Sequence, residues 1–234
     1  MRYQAVIFDL FGTLIDNLSR AGHENVLREM GDIMGVGREE FVREWVGCVR
    51  ERMAGRLGDV RENVGAICER LGAQADPKRI DEAVEHKLDY TRQVLTPREG
   101  ALETLRALRA GGMKTGLLTD CSSEVPKLWE ETAFAPLIDE PVFSHSAGLK
   151  KPDPRIYHLT CDRLGARPAE CLHVGDGSSH ELYGAAQVGL DPVRIRVKYE
   201  EHEDTYRLDD QEWRGKSVGA LLEVPAIAGC EVNE

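Results

Sequence analysis

The sequence predicts an α/β protein, with a Rossmann-like parallel sheet covered by helices on both faces and an inserted all-α domain near its start. Three observations lead there. The apolar run in "YQAVIFDL", residues 3–10, is short, does not alternate, and breaks on Asp9, as expected of a central strand buried on both faces. From 17 to 96 the apolar residues recur at helical spacing with no strand-like run between them. After Pro97, strand-like and helix-like segments alternate as far as Val197, the βαβ repetition of a parallel sheet.

Within the insert, Val26, Leu27, Met30 and Met34 share one helical face, and Phe41, Trp45, Val49 and Met53 share another. Val64, Ile67, Cys68 and Leu71 repeat the spacing, as do Ile80, Ala83, Val84 and Leu88. Glycines 35, 37, 55, 58 and 72, with Pro77, divide this stretch into about four helices. Residues 1–16 and 97–234 are then the core domain and 17–96 the helical one. In the core, "EGALETLRALRAGG" reads as a helix closed by Gly111 and Gly112. "MKTGLLTD" follows as a strand, "EVPKLWEETA" as a helix and "PVFSH" as a short strand. "PDPRIYHLTCDRLG" opens with prolines in a helix-starting position, and "CLHVGD" and "PVRIRV" are strands flanking a helix around 179–188. Residues 198–212 carry seven acids and read as a solvated loop, and "SVGALLEV" as a last short helix.

Composition narrows the class of partner. A net charge of −11 argues against nucleic acid or an anionic membrane. No apolar stretch approaches the ~20 residues a membrane span needs. The first residues lack the charged-then-apolar pattern of a signal peptide. Six cysteines show no CxxC pair or zinc-like spacing, so free thiols in a reducing cytoplasm are expected. The expected chain is a monomer or homodimer, with no nucleic-acid or membrane partner.

Three predicted strands end on polar residues: Asp9, the pair Thr119–Asp120, and Asp176. One polar strand end commonly only satisfies a turn. Three on the carboxyl edge of one sheet, with Lys151 in a proline-rich turn, mark the edge where open parallel sheets bind ligands.

Four stretches in order resemble the motifs of the haloacid dehalogenase superfamily, over roughly residues 1–197. "FDLFGTLID" resembles the first, with Asp9 in the nucleophile position; "GLLTD" the second, with Thr119 in the Ser/Thr position. "GLKKPDPRIY" resembles the third, with Lys151 as its lysine, and "HVGDGSSHELYGAAQVG" the fourth, with Asp176 and Glu181 as its acids. The insert resembles the helical cap placed after the first motif in one branch of the superfamily. The resemblance implies a hydrolase using Mg²⁺ on a phosphorylated small molecule. Asp9 would attack phosphorus, giving an aspartyl-phosphate. Asp9, the backbone carbonyl of Phe11, Asp176 and, directly or at one remove, Glu181 would hold the ion. Gly12, Thr119, Asp120 and Lys151 would surround the phosphate.

Two departures matter. Phosphatases of this superfamily usually carry a second aspartate two residues after the nucleophile, as general acid; here Phe11 stands there. General acid catalysis contributes ~10²–10⁴-fold, so esters with poor leaving groups should react slowly. Asp120 stands where relatives often have Asn, and reads as a helix N-cap in preference to a substitute acid. Three rival functions follow. A metal-independent 2-haloacid dehalogenase also lacks the second aspartate, but leaves Asp176 unexplained. A phosphonoacetaldehyde hydrolase type needs a cap lysine, and no lysine precedes Lys78. A non-catalytic phosphate-binding module would not need nucleophile, lysine and acids together.

Overall fold

The computed structural model describes residues 2–74, 76–197 and 212–230. In chain order these form β1 (Ala5–Phe8), α1 (Arg20–Met34), α2 (Arg38–Gly47), α3 (Val49–Met53), α4 (Val60–Arg70), α5 (Pro77–Val94) and α6 (Ala101–Ala110). Then come β2 (Lys114–Thr119), α7 (Glu124–Leu128), β3 (Glu140–Phe143), α8 (Ser144–Ala147), α9 (Pro154–Leu164) and β4 (Cys171–Gly175). The rest are α10 (Glu181–Gln187), β5 (Asp191–Ile195), β6 (Lys216–Val218) and α11 (Val224–Ala228). The six strands make one parallel sheet in the order β3-β2-β1-β4-β5-β6.

The unbroken apolar character of β1 has a simple cause. Val6 and Phe8 face one core, shared with Leu117, Leu172 and Val174, while Ala5 and Ile7 face a second, with Ile156 and Tyr157. A fully buried Val, Leu, Ile or Phe side chain contributes ~1.5–3 kcal/mol by leaving water, so both faces select for apolar residues. Ala5 pairs with Lys114 on one side and Cys171 on the other, and Phe8 with Leu117 and Val174. This shared register brings Asp9, Thr119 and Asp176 out at one edge. The chain order reverses between β1 and β4, which makes that edge the switch point of the sheet.

Local chemistry starts the helices where the pattern does. Ser19 Oγ accepts from Gly22 N at 3.3 Å ahead of α1. Asp59 and Glu62 form a reciprocal capping box on α4. Asp76 with Pro77, and Asp153 with Pro154, open α5 and α9.

Three expectations change. The stripe Phe41–Trp45–Val49–Met53 is not one helix: the chain breaks at Cys48, giving α2 and a separate α3, so the described residues of the insert form five helices. The break turns Arg52 inward, over the Trp45 ring at 4.4 Å, in place of Met53. "SVGALLEV" begins as strand β6 beside β5, and only its end is helical, because Val218 completes the sheet edge while Leu221 and Val224 fill the core. "EVPKLWEETA" shortens to α7 and a 3-10 turn over Trp129–Glu131, where Trp129 turns in against Phe134. The acidic stretch 198–211 lies outside the described residues. All six cysteines are buried free thiols. No helix among the described residues is long and apolar enough to cross a membrane.

Candidate active site

Asp9 follows β1, with its backbone N–H donating to Val174 O at 2.9 Å, so the sheet itself aims this carboxylate. Lys151, in the turn before α9, places Nζ 2.6 Å from Asp9 Oδ1 and 2.6 Å from Glu181 Oε2. The first residue of α10, Glu181, takes Gly177 N–H on its other oxygen at 3.0 Å. Asp176 accepts Ser178 N–H at 2.8 Å and faces Asn17 Nδ2 at 3.4 Å. Oxygens of Asp9, Asp176 and Glu181 all lie within 4.8 Å of one another, and all three residues are buried.

The backbone is shaped for this approach. Gly12 has φ +74°, and a Cβ there would collide with Asn17 and stand 2.7 Å from Asp176 Oδ2. Ser179 and His180 hold φ of 56° and 54°, a costly conformation for residues with side chains, found at sites that need it. Arg98 braces the first loop by donating to Gly12 O at 3.0 Å and pairing with Asp16 at 2.9 Å.

Electrostatically the cluster is short of positive charge. Burial and the neighbouring Glu181 and Asp176 push the Asp9 carboxyl well above the usual range, against the opposing pull of Lys151. Burial disfavours the Lys151 charge, yet Asp9 and Glu181 more than offset it and hold its pKa well above the ordinary lysine value. Glu181 falls to about 2: burial opposes its charge, and Lys151 and His173 outweigh burial. Three carboxylates around one ammonium suit a divalent cation, and their donor set is all oxygen, as Mg²⁺ prefers.

Thr119 is fully buried and its hydroxyl oxygen has no hydrogen-bond partner, so it is available to a ligand. Asp120 departs from its expected role as a helix cap. Helix α7 begins four residues later behind Ser123, and Asp120 Oδ1 instead accepts Lys151 N–H at 3.0 Å. Burial raises its carboxyl, with Lys151 opposing. Burial, with Asp120 and Glu124 nearby, drives the Cys121 thiol up, so it is a neutral thiol and not a nucleophile. Trp45 and Trp129 are core residues, packed on Phe41 and Phe134. His173 lies 3.4 Å from Glu181, and His145 contacts Gly58 O at 3.0 Å, linking core to insert.

A cavity of about 360 Å³ opens above the cluster, between sheet edge and insert. Asp9, Phe11, Asp120 and Lys151 line it from the core. From the insert come His23, Arg52 and Lys87, with Ser122 and Glu124 of the core beside them. Sequence reading missed Arg52, Lys87 and Glu124. The available signal was a charge inside an apolar stripe: Lys87 interrupts Val84, Leu88 and Thr91 on the buried face of α5. The early insert helices supply no lysine, but α5 does.

The family model of haloacid dehalogenase-like hydrolases matches residues 3–189. The chain belongs to this family. Among curated hydrolases, it is 31% identical over 209 residues to a glyceraldehyde 3-phosphate phosphatase of Methanopyrus kandleri, covering 86% of this chain and 87% of that protein. It is 26% identical over 201 residues to (S)-2-haloacid dehalogenase 1 of a Pseudomonas species, covering 82% and 84%. A solved 2-haloacid dehalogenase from Pseudomonas syringae superposes with TM-score 0.73 at 22% identity, over 97% of this chain and 98% of that one. This haloacid dehalogenase-like hydrolase thus has relatives in two chemistries, and only its own site can separate them.

Proposed function

We propose that this hydrolase is a Mg²⁺-dependent phosphatase of small phosphorylated molecules, with residues 17–96 acting as a cap over the site. The observation that carries the reading is the buried triplet Asp9, Asp176 and Glu181 with one shared ammonium. A metal-free displacement of halide has no use for Asp176, whereas a phosphatase does. The M. kandleri relative, named for a phosphate ester, supports the same choice.

Asp9, Asp176 and the Phe11 carbonyl would hold the ion, with Glu181, which fixes Lys151, as a further candidate. Bound Mg²⁺ supplies the positive charge that lets a carboxylate approach a phosphate dianion. Lys151 neutralises further charge on the phosphoryl oxygens and keeps Asp9 aimed in line. Thr119 Oγ donates to a phosphate oxygen. Asp9 Oδ forms the new bond to phosphorus as the ester P–O bond breaks, and water then cleaves the aspartyl-phosphate. Phe11 cannot protonate the departing oxygen. Asp120, raised by burial and lining the same cavity, is the group we assign to that proton.

Phe11 in the cavity wall, together with the Pseudomonas relative, favours halide displacement as the second reading. The test is turnover of p-nitrophenyl phosphate and acetyl phosphate beside 2-chloropropionate, with and without EDTA, against Asp9→Asn. Phosphate release that needs Mg²⁺ and Asp9 is the expected result. Chloride release that survives EDTA would replace the phosphatase by the dehalogenase.

A further inference from the structure

The cap half of the cavity holds a charge imbalance that the phosphatase chemistry does not use. Arg52 and Lys87 are 4% and 5% exposed, and both line the cavity. One carboxylate faces them, Glu124, 3% exposed and 3.9 Å from Lys87 Nζ, too far for a direct hydrogen bond. Glu124 Oε2 itself makes no hydrogen bond. Arg52 is largely committed, donating to Ser122 Oγ at 2.9 Å and Trp45 O at 3.2 Å while lying over the Trp45 ring. The Lys87 ammonium rests 5.2 Å from the centre of the Tyr90 ring.

Two buried cations against one buried carboxylate leave one positive charge without a partner, which is costly in an otherwise largely apolar chamber. Burial lowers Lys87 to about 8, with Arg52 adding to the effect and Glu124 opposing it. Burial, then Lys87 and Arg52, lowers His23 to about 2, so it adds no charge. Helices α1, α3 and α5 each contribute one of these basic side chains. Their convergence on the chamber that also contains Asp9 places a monoanion-sized deficit in the same cavity as the proposed phosphate site.

We infer that Lys87, flanked by Arg52 and offset by Glu124, binds a carboxylate on the organic part of the substrate, so that the enzyme's substrates are small phosphorylated carboxylic acids. The inference rests on the phosphatase reading for the placement of the phosphate at Asp9 and Lys151. A single carboxylate matches the single unpaired charge, and Ser122 lines the same cavity.

The test compares affinity with Mg²⁺ present, using the Asp9→Asn enzyme so that ligands are not consumed. Phosphoglycolate is set against ethyl phosphate, and phosphoglycerate against glycerol phosphate. One charge-assisted hydrogen bond in a buried site predicts that each acid binds about ten- to a hundredfold more tightly than its neutral partner. Lys87→Arg keeps that preference. Lys87→Met, which leaves one buried cation, Arg52, to one buried carboxylate, Glu124, abolishes it. Equal binding of acid and neutral ester by the Lys87 enzyme, or a preference that survives Lys87→Met, overturns the inference. The phosphatase reading fails separately, if the unsubstituted enzyme releases phosphate from none of the four compounds while the acid preference stands.

Discussion

Lys151 makes both of its ion pairs at 2.6 Å with all three side chains buried, so its removal strands two buried carboxylates at once. Lys151→Met should cost about 3–5 kcal/mol of stability by urea titration, and kcat should fall about 10²–10³-fold. Added Mg²⁺ should restore part of the stability and none of the rate. Asp120 allows a sharper test of the proton assignment. Its carboxyl is raised by burial, so the protonated form persists to higher pH than an ordinary aspartic acid. The rate on an alkyl phosphate should therefore fall as pH rises through that raised value. Asp120→Asn should slow the alkyl ester about 10²-fold, remove that limb, and leave p-nitrophenyl phosphate nearly unchanged. Asp9, Thr119 and Asp176 stand out in the sequence because each ends an apolar strand, and Lys151 because it sits in a proline-rich turn, whereas Glu181, at the start of α10, is marked only by the resemblance of its motif. The attachment of Asp120 to the Lys151 backbone is invisible there, since it joins residues 31 apart through the packing of two loops.

Gly12 shows how a loop, and not a side chain, sets the geometry. Its φ of +74° and the short approach to Asp176 Oδ2 leave no room for a methyl group. Gly12→Ala should destabilise the protein by ~1–3 kcal/mol and raise the Mg²⁺ concentration needed for half-maximal rate, read by metal titration of activity. The elements themselves were largely legible: β1, β2, β4 and β5 are apolar runs flanked by turn residues, and α6 and α9 carry their own start and stop signals. What was not legible has a common cause. The helix after Cys48 and the strand at Lys216–Val218 meet partners distant in sequence, Ser122 against Arg52 and the open edge of β5. Local spacing carries no information about either.

Core and insert meet across buried basic groups, and this couples the stability of the molecule to pH. His23 is held neutral, its pKa brought down to about 2 from an ordinary 6.5 by burial and then by Lys87 and Arg52. Below 6.5 the unfolded chain binds a proton at this site that the folded chain refuses, so the contribution is complete above that pH and lost progressively as pH falls through it. The slope from this residue is at most ~1.4 kcal/mol per pH unit, and His23→Gln should flatten the wild-type urea-stability curve by that component between neutrality and about pH 5. The fold as a whole could be read from the order of its segments, and Asp9 as the candidate nucleophile from the resemblance of the first motif. The division of labour across the cavity could not, because it arises where α1, α3 and α5 close over the sheet edge. The most direct measurement of the central claim is where solvent oxygen goes when the enzyme turns over acetyl phosphate in heavy-oxygen water. An Asp9 nucleophile attacking phosphorus predicts label in the released phosphate and none in the Asp9 carboxylate recovered by peptide mass spectrometry, with turnover abolished by Asp9→Asn and by EDTA. Label accumulating in Asp9 itself, with activity indifferent to EDTA, would contradict the account.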